Sequence, residues 1–133
     1  MKIKKEEARR LPESELDIML PIWAAGEDGI TAPMIGEALA RPLTASALHS
    51  YLKRLEEKGF LTCEKRGKVN RYTALVSKED YQTREGKTVL EKLYGSSLRR
   101  FTAALYDGGA LSQDDLDELR DFLDDLEYKG SAD

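Results

Sequence analysis

The sequence predicts a mainly α-helical fold with one small β-hairpin. An amphipathic helix follows Thr44, and two short strands joined by a basic turn come directly after it. Two shorter helices precede this segment, and helical periodicity returns after the strands and ends in a leucine stripe. We therefore predict a winged helix-turn-helix domain over residues 1–76 and a helical dimerisation region over residues 77–133.

The composition favours a globular protein with a charged surface. The chain has 133 residues, of which 41% are hydrophobic and 35% charged. No apolar run approaches the roughly 18 residues needed to span a bilayer. The N-terminal segment MKIKKEEARRLPESE lacks the apolar region of a signal peptide, so we expect a cytoplasmic protein. A single cysteine, Cys63, excludes an internal disulfide and a cysteine-based zinc site supplied by one chain.

Charge is distributed unevenly along the chain. The net charge is −4, but residues 44–73 hold seven Lys and Arg against three Glu, a local balance of +4. Residues 81–133 hold seven basic and twelve acidic residues, a balance of −5. A locally basic segment can bind an anionic partner or can be a solvated surface, and composition alone leaves both interpretations open.

The first helix is predicted from Leu11 to Gly26. Ser14 and Asp17 have the spacing of an N-terminal capping pair. Pro21 lies inside this pattern, which predicts a kink or a later helix start. The predicted apolar face contains Leu16, Met19, Leu20 and Trp23.

The second helix is predicted to begin after Thr31, a favourable N-cap residue, with Pro33 in its first turn. The break at residues 41–43 ends this helix. Its predicted buried side contains Met34, Ile35, Ala38 and Leu39.

The third helix is predicted to run from its N-cap at Thr44 to a stop at Gly59, because glycine adopts positive φ at low cost. Strands are predicted over Phe60–Lys65 and Val69–Ala74, with the turn at Arg66–Lys68. The helix buries three leucines at i, i+4, i+7 spacing: Leu48, Leu52 and Leu55.

The polar face of the third helix predicts contact with DNA. A helix of this size fits the major groove, and a basic hairpin beside it can contact phosphates. The candidates for base edges are Ser46, His49 and Ser50. The candidates for phosphate contacts are Thr44 at the helix N-terminus, Lys53 and Arg54. The wing candidates, for the backbone or minor groove, are Arg66, Lys68 and Arg71.

Three helices are predicted after the wing. The first begins at the capping pair Ser77 and Asp80 and runs from Lys78 to Tyr94, with Gly86 as a weak point. The second runs from Leu98 to Tyr106. The third begins at the capping pair Ser112 and Asp115. The predicted dimerisation surface consists of Leu98, Phe101, Leu105, Leu116, Leu119, Phe122, Leu123 and Leu126. Such short helices bury little apolar surface alone, so this surface packs on the N-terminal domain or on a second chain.

No catalytic, metal or cofactor site is predicted. His49 is the only histidine and has no neighbouring His or Cys that could complete a metal site. Cys63 lies in a predicted strand, where packing is the expected role. The acidic face of the last helix lacks the spacing of a calcium loop. No nucleophile–base pair or phosphate-binding glycine loop is present, so we expect a protein that is not an enzyme.

Five segments together resemble the penicillinase repressor family of bacterial transcription regulators, the BlaI/MecI/CopY group. They are LPESELDIMLPIW at 11–23, LTASALHSYLKRLEEKGFL at 43–61, RGKVNRYTA at 66–74, and LYGSSL at 93–98 with LSQDDLDEL at 111–119. The resemblance implies an N-terminal winged helix, a C-terminal dimerisation region, and repression by a homodimer on a dyad-symmetric DNA operator.

The chain departs from the family pattern at several positions. Ser46 and Ala47 stand where the family's recognition helix usually has Lys-Thr, and Ser50 where it has Thr, so base preference is expected to differ. Ala104-Leu105 stands where some members have the Asn–Phe bond at which they are cleaved, so the resemblance does not imply that cleavage for this chain. The paired C-x-C motifs of copper-responsive members are missing. The resemblance still allows an upstream sensor or protease as a partner.

Two rival functions stay open at this stage. The overall acidity is compatible with a winged-helix protein–protein adaptor that binds no DNA. The second rival is a regulator that senses a small molecule, although no cluster of polar residues in the sequence indicates a ligand-binding pocket.

Overall fold

The computed structural model describes residues 10–132, and side chains through Gly130. Residues 1–9, which contain most of the charged N-terminal segment, and residue 133 lie outside the described residues. The contacts of the chain divide it into two compact units, Met1–Gly86 and Lys87–Asp133. Within residues 10–132, no helix combines the length and the apolar character required to cross a bilayer.

Helix α1 spans Glu13–Ala25 and continues through Pro21. Pro12 is the N-cap and no side chain caps the helix, so the predicted Ser14–Asp17 capping pair is wrong. The predicted apolar face is also wrong in part, because Leu20 is exposed while Leu16 and Trp23 are only half-buried. The buried side chains are Glu15, Ile18, Met19 and Ile22. From Ile18 to Ala25 the helix is apolar all round, so spacing alone did not indicate which stripe faces the core.

A 3₁₀ turn at Gly26–Asp28 leads to helix α2, Ala32–Ala38. The Thr31 hydroxyl accepts a hydrogen bond from the Met34 amide at 3.4 Å, which confirms the predicted N-cap. The predicted buried side is only partly correct, because Met34 and Ala38 are exposed and Ile35 is buried. This helix has two turns, so few of its positions can face the core.

Helix α3 spans Ala45–Glu57 and matches the prediction closely. The Thr44 hydroxyl accepts a hydrogen bond from the Ala47 amide at 3.0 Å. At the other end, Lys58 is the C-cap and Gly59 has a φ of +84°. The three predicted leucines, Leu48, Leu52 and Leu55, are buried.

Strands β1, Leu61–Arg66, and β2, Val69–Ala74, form the antiparallel wing. The first strand begins and ends one residue later than predicted, because the Phe60 amide donates to the Leu55 carbonyl at 3.0 Å and closes the end of α3. Arg66 pairs with Val69, so the connection has two residues, and Gly67 takes its first position with a φ of +65°. Glycine with positive φ at this position is typical of a type II′ hairpin turn.

A bridge that the sequence did not predict attaches the wing to the helices. The Ile30 amide donates to the Tyr72 carbonyl at 3.0 Å, and the Tyr72 amide donates to the Ile30 carbonyl at 2.8 Å. The Tyr72 ring is buried on the inner face of the hairpin. Gly29 lies against this bridge with a φ of +75°, and an added Cβ there would meet the Thr73 hydroxyl at 3.1 Å. The base of the wing is therefore tightly held.

Helix α4 spans Lys78–Tyr94, and the Ser77 hydroxyl accepts from the Asp80 amide at 3.0 Å, as predicted. Its first half belongs to the winged-helix core, because the Tyr81 ring is buried against Trp23 and Phe60. The Tyr81 hydroxyl also accepts a hydrogen bond from the Leu11 amide at 2.9 Å. These contacts extend the first unit to Gly86, ten residues beyond the boundary expected at residue 76.

The second unit contains the end of α4 and helices α5, Leu98–Asp107, and α6, Gln113–Ala132. Ser112 and Asp115 form the predicted capping pair, in which each side chain accepts from the other residue's amide, at 2.8 and 3.1 Å. The hydrogen bond from the Ser112 amide, with a smaller contribution from the Ser112 hydroxyl, holds the pKa of the Asp115 carboxyl below its usual value. No side chain from residue 87 to residue 130 is buried.

Candidate nucleic-acid interface

The outer face of α3 is a continuous exposed surface. Burial of the three leucines on the opposite side of the helix fixes its rotation about its axis. All of the side chains predicted to contact bases or phosphates from this helix are consequently exposed: Thr44, Ser46, His49, Ser50, Lys53 and Arg54. The structure thus brings together on one face the six helix residues selected from the sequence.

Two side chains on this face are held in place by neighbours. The Nδ1 atom of His49 lies 2.8 Å from the carbonyl oxygen of Ala45, one turn earlier in the helix. The Arg54 guanidinium lies over the ring of Tyr51, 5.6 Å from its centroid. Tyr51 was not among the predicted site residues, although its i, i+3 spacing from Arg54 was a readable signal.

The C-terminal end of α3 is fastened to α1 by an ion pair. The Lys58 ammonium nitrogen lies 2.6 Å from Oε1 of Glu15. Glu15 is only 3% exposed, whereas Lys58 is 39% exposed. A buried carboxylate requires a partner, and Lys58 supplies it. Lys58 therefore contributes to the +4 balance of the segment but holds the helix in place.

The wing tip presents basic side chains to solvent, since Arg66 and Lys68 are both exposed. Arg66 lies 3.3 Å from the carboxylate of Glu64, an exposed contact that solvent weakens. Arg71 differs from these two: it is half-buried and its guanidinium donates to the carbonyl oxygen of Gly29 at 3.3 Å. A longer contact of 3.5 Å joins it to the carbonyl of Asp28.

The basic segment therefore has two parts. Lys58 and Arg71 make contacts inside the first unit. The other five basic residues are exposed on the outer face of α3 or on the wing: Lys53, Arg54, Lys65, Arg66 and Lys68. The exposed part lies on the helix face and hairpin that the sequence predicted for DNA contact.

Cys63 lies opposite Tyr72 in the hairpin and is half-buried against the core. Burial, with a smaller contribution from the neighbouring thiol, raises the pKa of the Tyr72 hydroxyl. Within residues 10–132, no group of three or more His, Cys, Asp or Glu side chains is placed to hold a metal ion.

The predicted dimerisation surface lies on α5 and α6 and is largely uncovered. Leu98, Phe122 and Leu126 are exposed, and Phe101, Leu105 and Leu116 are half-buried. A groove of about 560 Å³ runs between the two helices. Its apolar lining includes Leu98, Tyr106, Leu116, Leu119 and Leu123.

Comparison with known proteins identifies the family. The family model described as "Penicillinase repressor" matches residues 11–125. The chain belongs to the penicillinase repressor family. The predicted winged-helix fold class and the assignment to transcriptional regulation are thereby confirmed.

Two proteins named as such repressors or regulators match this chain over most of their length, and one solved structure is also similar to it. The penicillinase repressor of Staphylococcus aureus is 25% identical over 118 residues, covering 87% of this chain and 92% of that protein. The methicillin resistance regulatory protein MecI of Mammaliicoccus sciuri is 24% identical over 113 residues, covering 85% and 92%. The transcriptional regulator SlyA, a solved structure, is 23% identical with a TM-score of 0.38, over 86% of this chain and 75% of that one.

Proposed function

We propose that this family member is a homodimeric repressor that binds a dyad-symmetric operator in duplex DNA, with α3 in the major groove. One observation carries the proposal. The exposed face of α3 is polar and carries Lys53 and Arg54 beside Glu56 and Glu57, and its opposite face is packed into the core through three buried leucines. A helix with such a face, within a winged helix, has the form of a DNA recognition helix.

The proposed contacts follow from where each side chain lies. Ser46, His49 and Ser50 would contact base edges, which carry sequence information. Lys53, Arg54 and the N-terminus of α3 at Thr44 would contact phosphates, which carry affinity and orientation. Arg66 and Lys68 would bring the wing to the DNA backbone. Arg71, held by the Gly29 carbonyl, would support the wing and contact DNA only through an exposed edge.

Dimerisation is proposed through the dimerisation surface of α5 and α6. The uncovered leucines of α6 lie beside an apolar groove, and soluble monomers rarely leave such a patch exposed. A second copy related by a two-fold axis would cover it and would match two operator half-sites about one DNA turn, roughly 34–36 Å, apart. The lining of the groove is almost wholly apolar, which suits a protein partner better than a polar small molecule.

Salt dependence tests the proposed DNA contacts. The parent protein should select a preferred sequence from a random duplex pool, and its affinity should fall steeply with salt. Each phosphate contact contributes about −0.9 to the slope of log K against log salt concentration. The double variant Arg66→Ala, Lys68→Ala should flatten this slope while keeping the selected sequence. The matched control Lys92→Ala, Lys129→Ala removes the same charge from exposed positions of the second unit and should keep the slope.

A parent protein that selects no sequence, at any salt concentration, would contradict the DNA-binding proposal and favour the adaptor. An unchanged slope in the wing variant would remove only the wing from the interface.

Sedimentation at micromolar concentration tests the dimer. The variant Leu119→Asp, Leu123→Asp should sediment as a monomer and bind the operator much more weakly, since burying carboxylates in an apolar interface is costly. Lys129→Asp changes the net charge by the same amount at an exposed position and should stay dimeric. A truncation after Gly86 keeps Tyr81 in its core and should give a folded monomer. A parent protein that is monomeric yet binds its operator tightly would contradict the dimer.

A further inference from the structure

The contact of His49 with the backbone of α3 determines which of its ring nitrogens can accept a hydrogen bond. Its side chain is exposed on the outer face of α3, and its Nδ1 atom lies 2.8 Å from the Ala45 carbonyl oxygen. A carbonyl oxygen can only accept a hydrogen bond, so Nδ1 carries the proton in this contact. In a neutral imidazole the other nitrogen, Nε2, then has a free lone pair and acts as an acceptor.

The ring is also oriented by this contact. Because the Nδ1 edge is fixed against the backbone of α3, the Nε2 edge lies on the far side of the ring from that carbonyl. The neighbours of His49 on the same face do not duplicate its role. The hydroxyls of Ser46 and Ser50 can donate or accept, and the ammonium of Lys53 can only donate. His49 thus gives this face a fixed acceptor.

We propose that His49 is a specificity-determining residue that selects a base with an exocyclic amino group in the major groove. Adenine N6 and cytosine N4 are the donors that the major-groove edges of the bases present. Guanine and thymine present the acceptors O6 and O4, which would oppose the Nε2 lone pair. This inference rests on the proposed function, because it requires that α3 enters the major groove.

Sequence selection with three proteins tests the proposal. The parent should select adenine or cytosine at one position of each half-site. His49→Ala should lose this preference by about fivefold to 150-fold in relative affinity while keeping the other positions. His49→Lys, which offers only donors, should shift the same position toward guanine. Because His49 is exposed, both variants should melt at the parent's temperature, and this is checked by circular dichroism.

A base analogue gives a second, independent readout on the selected site. Where the position is adenine, replacing it by purine removes the amino group and leaves the ring; where it is cytosine, 2-pyrimidinone does the same. The parent should lose affinity for the modified duplex, and His49→Ala should bind both duplexes equally. The same modification at a neighbouring position outside the footprint of His49 should affect the two proteins alike.

The outcomes separate this inference from the proposed function. A parent that selects no sequence overturns both together. A parent that selects a sequence, with guanine or thymine at every position sensitive to His49, overturns the inference alone. A uniform loss of affinity in His49→Ala, with the selected sequence unchanged, would mean that His49 contacts phosphate, and this also overturns it.

Discussion

The two units of this chain treat their leucines in opposite ways. In the unit that ends at Gly86, fourteen apolar and aromatic side chains among residues 10–86 are buried in one cluster, and Leu55 of α3 is fully buried there. In the unit that begins at Lys87, Leu126 of α6 is 49% exposed, and no side chain through residue 130 is buried. Both leucines belong to regular helical stripes. The difference teaches that a stripe predicts a buried face but does not say which surface covers it.

The first unit has its own buried apolar core, and its buried carboxylate, Glu15, is paired with Lys58. The second unit presents an apolar face whose burial we assign to a second copy. Substitutions in the first unit should therefore change the free energy of unfolding. Substitutions in the second unit should change association, and should depend on protein concentration.

The sharpest contrast is expected from one substitution made in each unit. Leu55→Ala removes a fully buried side chain and should lower the free energy of unfolding by about 2–5 kcal/mol. Leu126→Ala should change it by less than about 1 kcal/mol at concentrations where the chain is monomeric. Urea unfolding at several concentrations measures both. A large, concentration-independent loss for Leu126→Ala would mean that the second unit forms a core of its own.

The ion pair between α1 and α3 should show an asymmetric response. Lys58→Met leaves the carboxylate of Glu15 buried without its partner and should destabilise the chain by about 1–3 kcal/mol, less than for a fully enclosed pair because Lys58 is 39% exposed. Glu15→Gln leaves Lys58 free to turn into water and should cost less. Urea midpoints compare the two variants. Equal losses would show that the carboxylate is not the costly partner.

Alkaline pH should weaken the first unit through Tyr72 and Tyr81. Burial raises the pKa of both hydroxyls above the ordinary value of 10.0. Below that value both tyrosines are protonated in the folded and unfolded chains. As the pH rises above it, the unfolded chain loses protons first, so stability falls until the folded pKa values are passed.

Tyr81→Phe should reduce this alkaline loss, and at neutral pH it should cost about 1 kcal/mol because the Leu11 amide loses its acceptor. Tyr128, which is 77% exposed and does not line the groove, is changed to Phe as the control and should leave the profile unaltered. Thermal melts from pH 8 to 11 measure the slope. A Tyr81→Phe profile parallel to that of the parent would exclude Tyr81 as its origin.

The features predicted correctly from the sequence are those that neighbouring residues determine. The caps at Thr31, Thr44, Ser77 and Ser112 depend on a hydroxyl and an amide three residues apart. The hairpin depends on Gly67 and on strand residues beside it. The exposed face of α3 follows from its leucine spacing, so the exposure of its predicted residues could be read from the sequence, while their contacts with DNA stay a prediction.

Apart from the local Ser14–Asp17 capping pair, the main features that were missed depend on distant residues. Glu15 and Lys58 are 43 positions apart, and Leu11 and Tyr81 are 70 apart. Spacing within one helix does not reveal such pairs, which is why the face of α1 and the end of the first unit were predicted imperfectly. Prediction of the candidate site from the sequence is limited in the same way. Only the tertiary contacts show that Lys58 binds Glu15 and that Arg71 binds the Gly29 carbonyl inside the first unit.

The smallest effect is expected at the boundary between the units. Gly86 lies inside α4, and an added Cβ there would meet no heavy atom within 4 Å. Gly86→Ala should therefore stabilise the helix by about 0.5–1 kcal/mol, because alanine loses less backbone entropy on folding. Gly59→Ala makes the same chemical change where φ is +84° and should destabilise the chain instead. Thermal melts of both variants compare the signs, and a destabilised Gly86→Ala would show that α4 requires a non-helical conformation at the point where the two units meet.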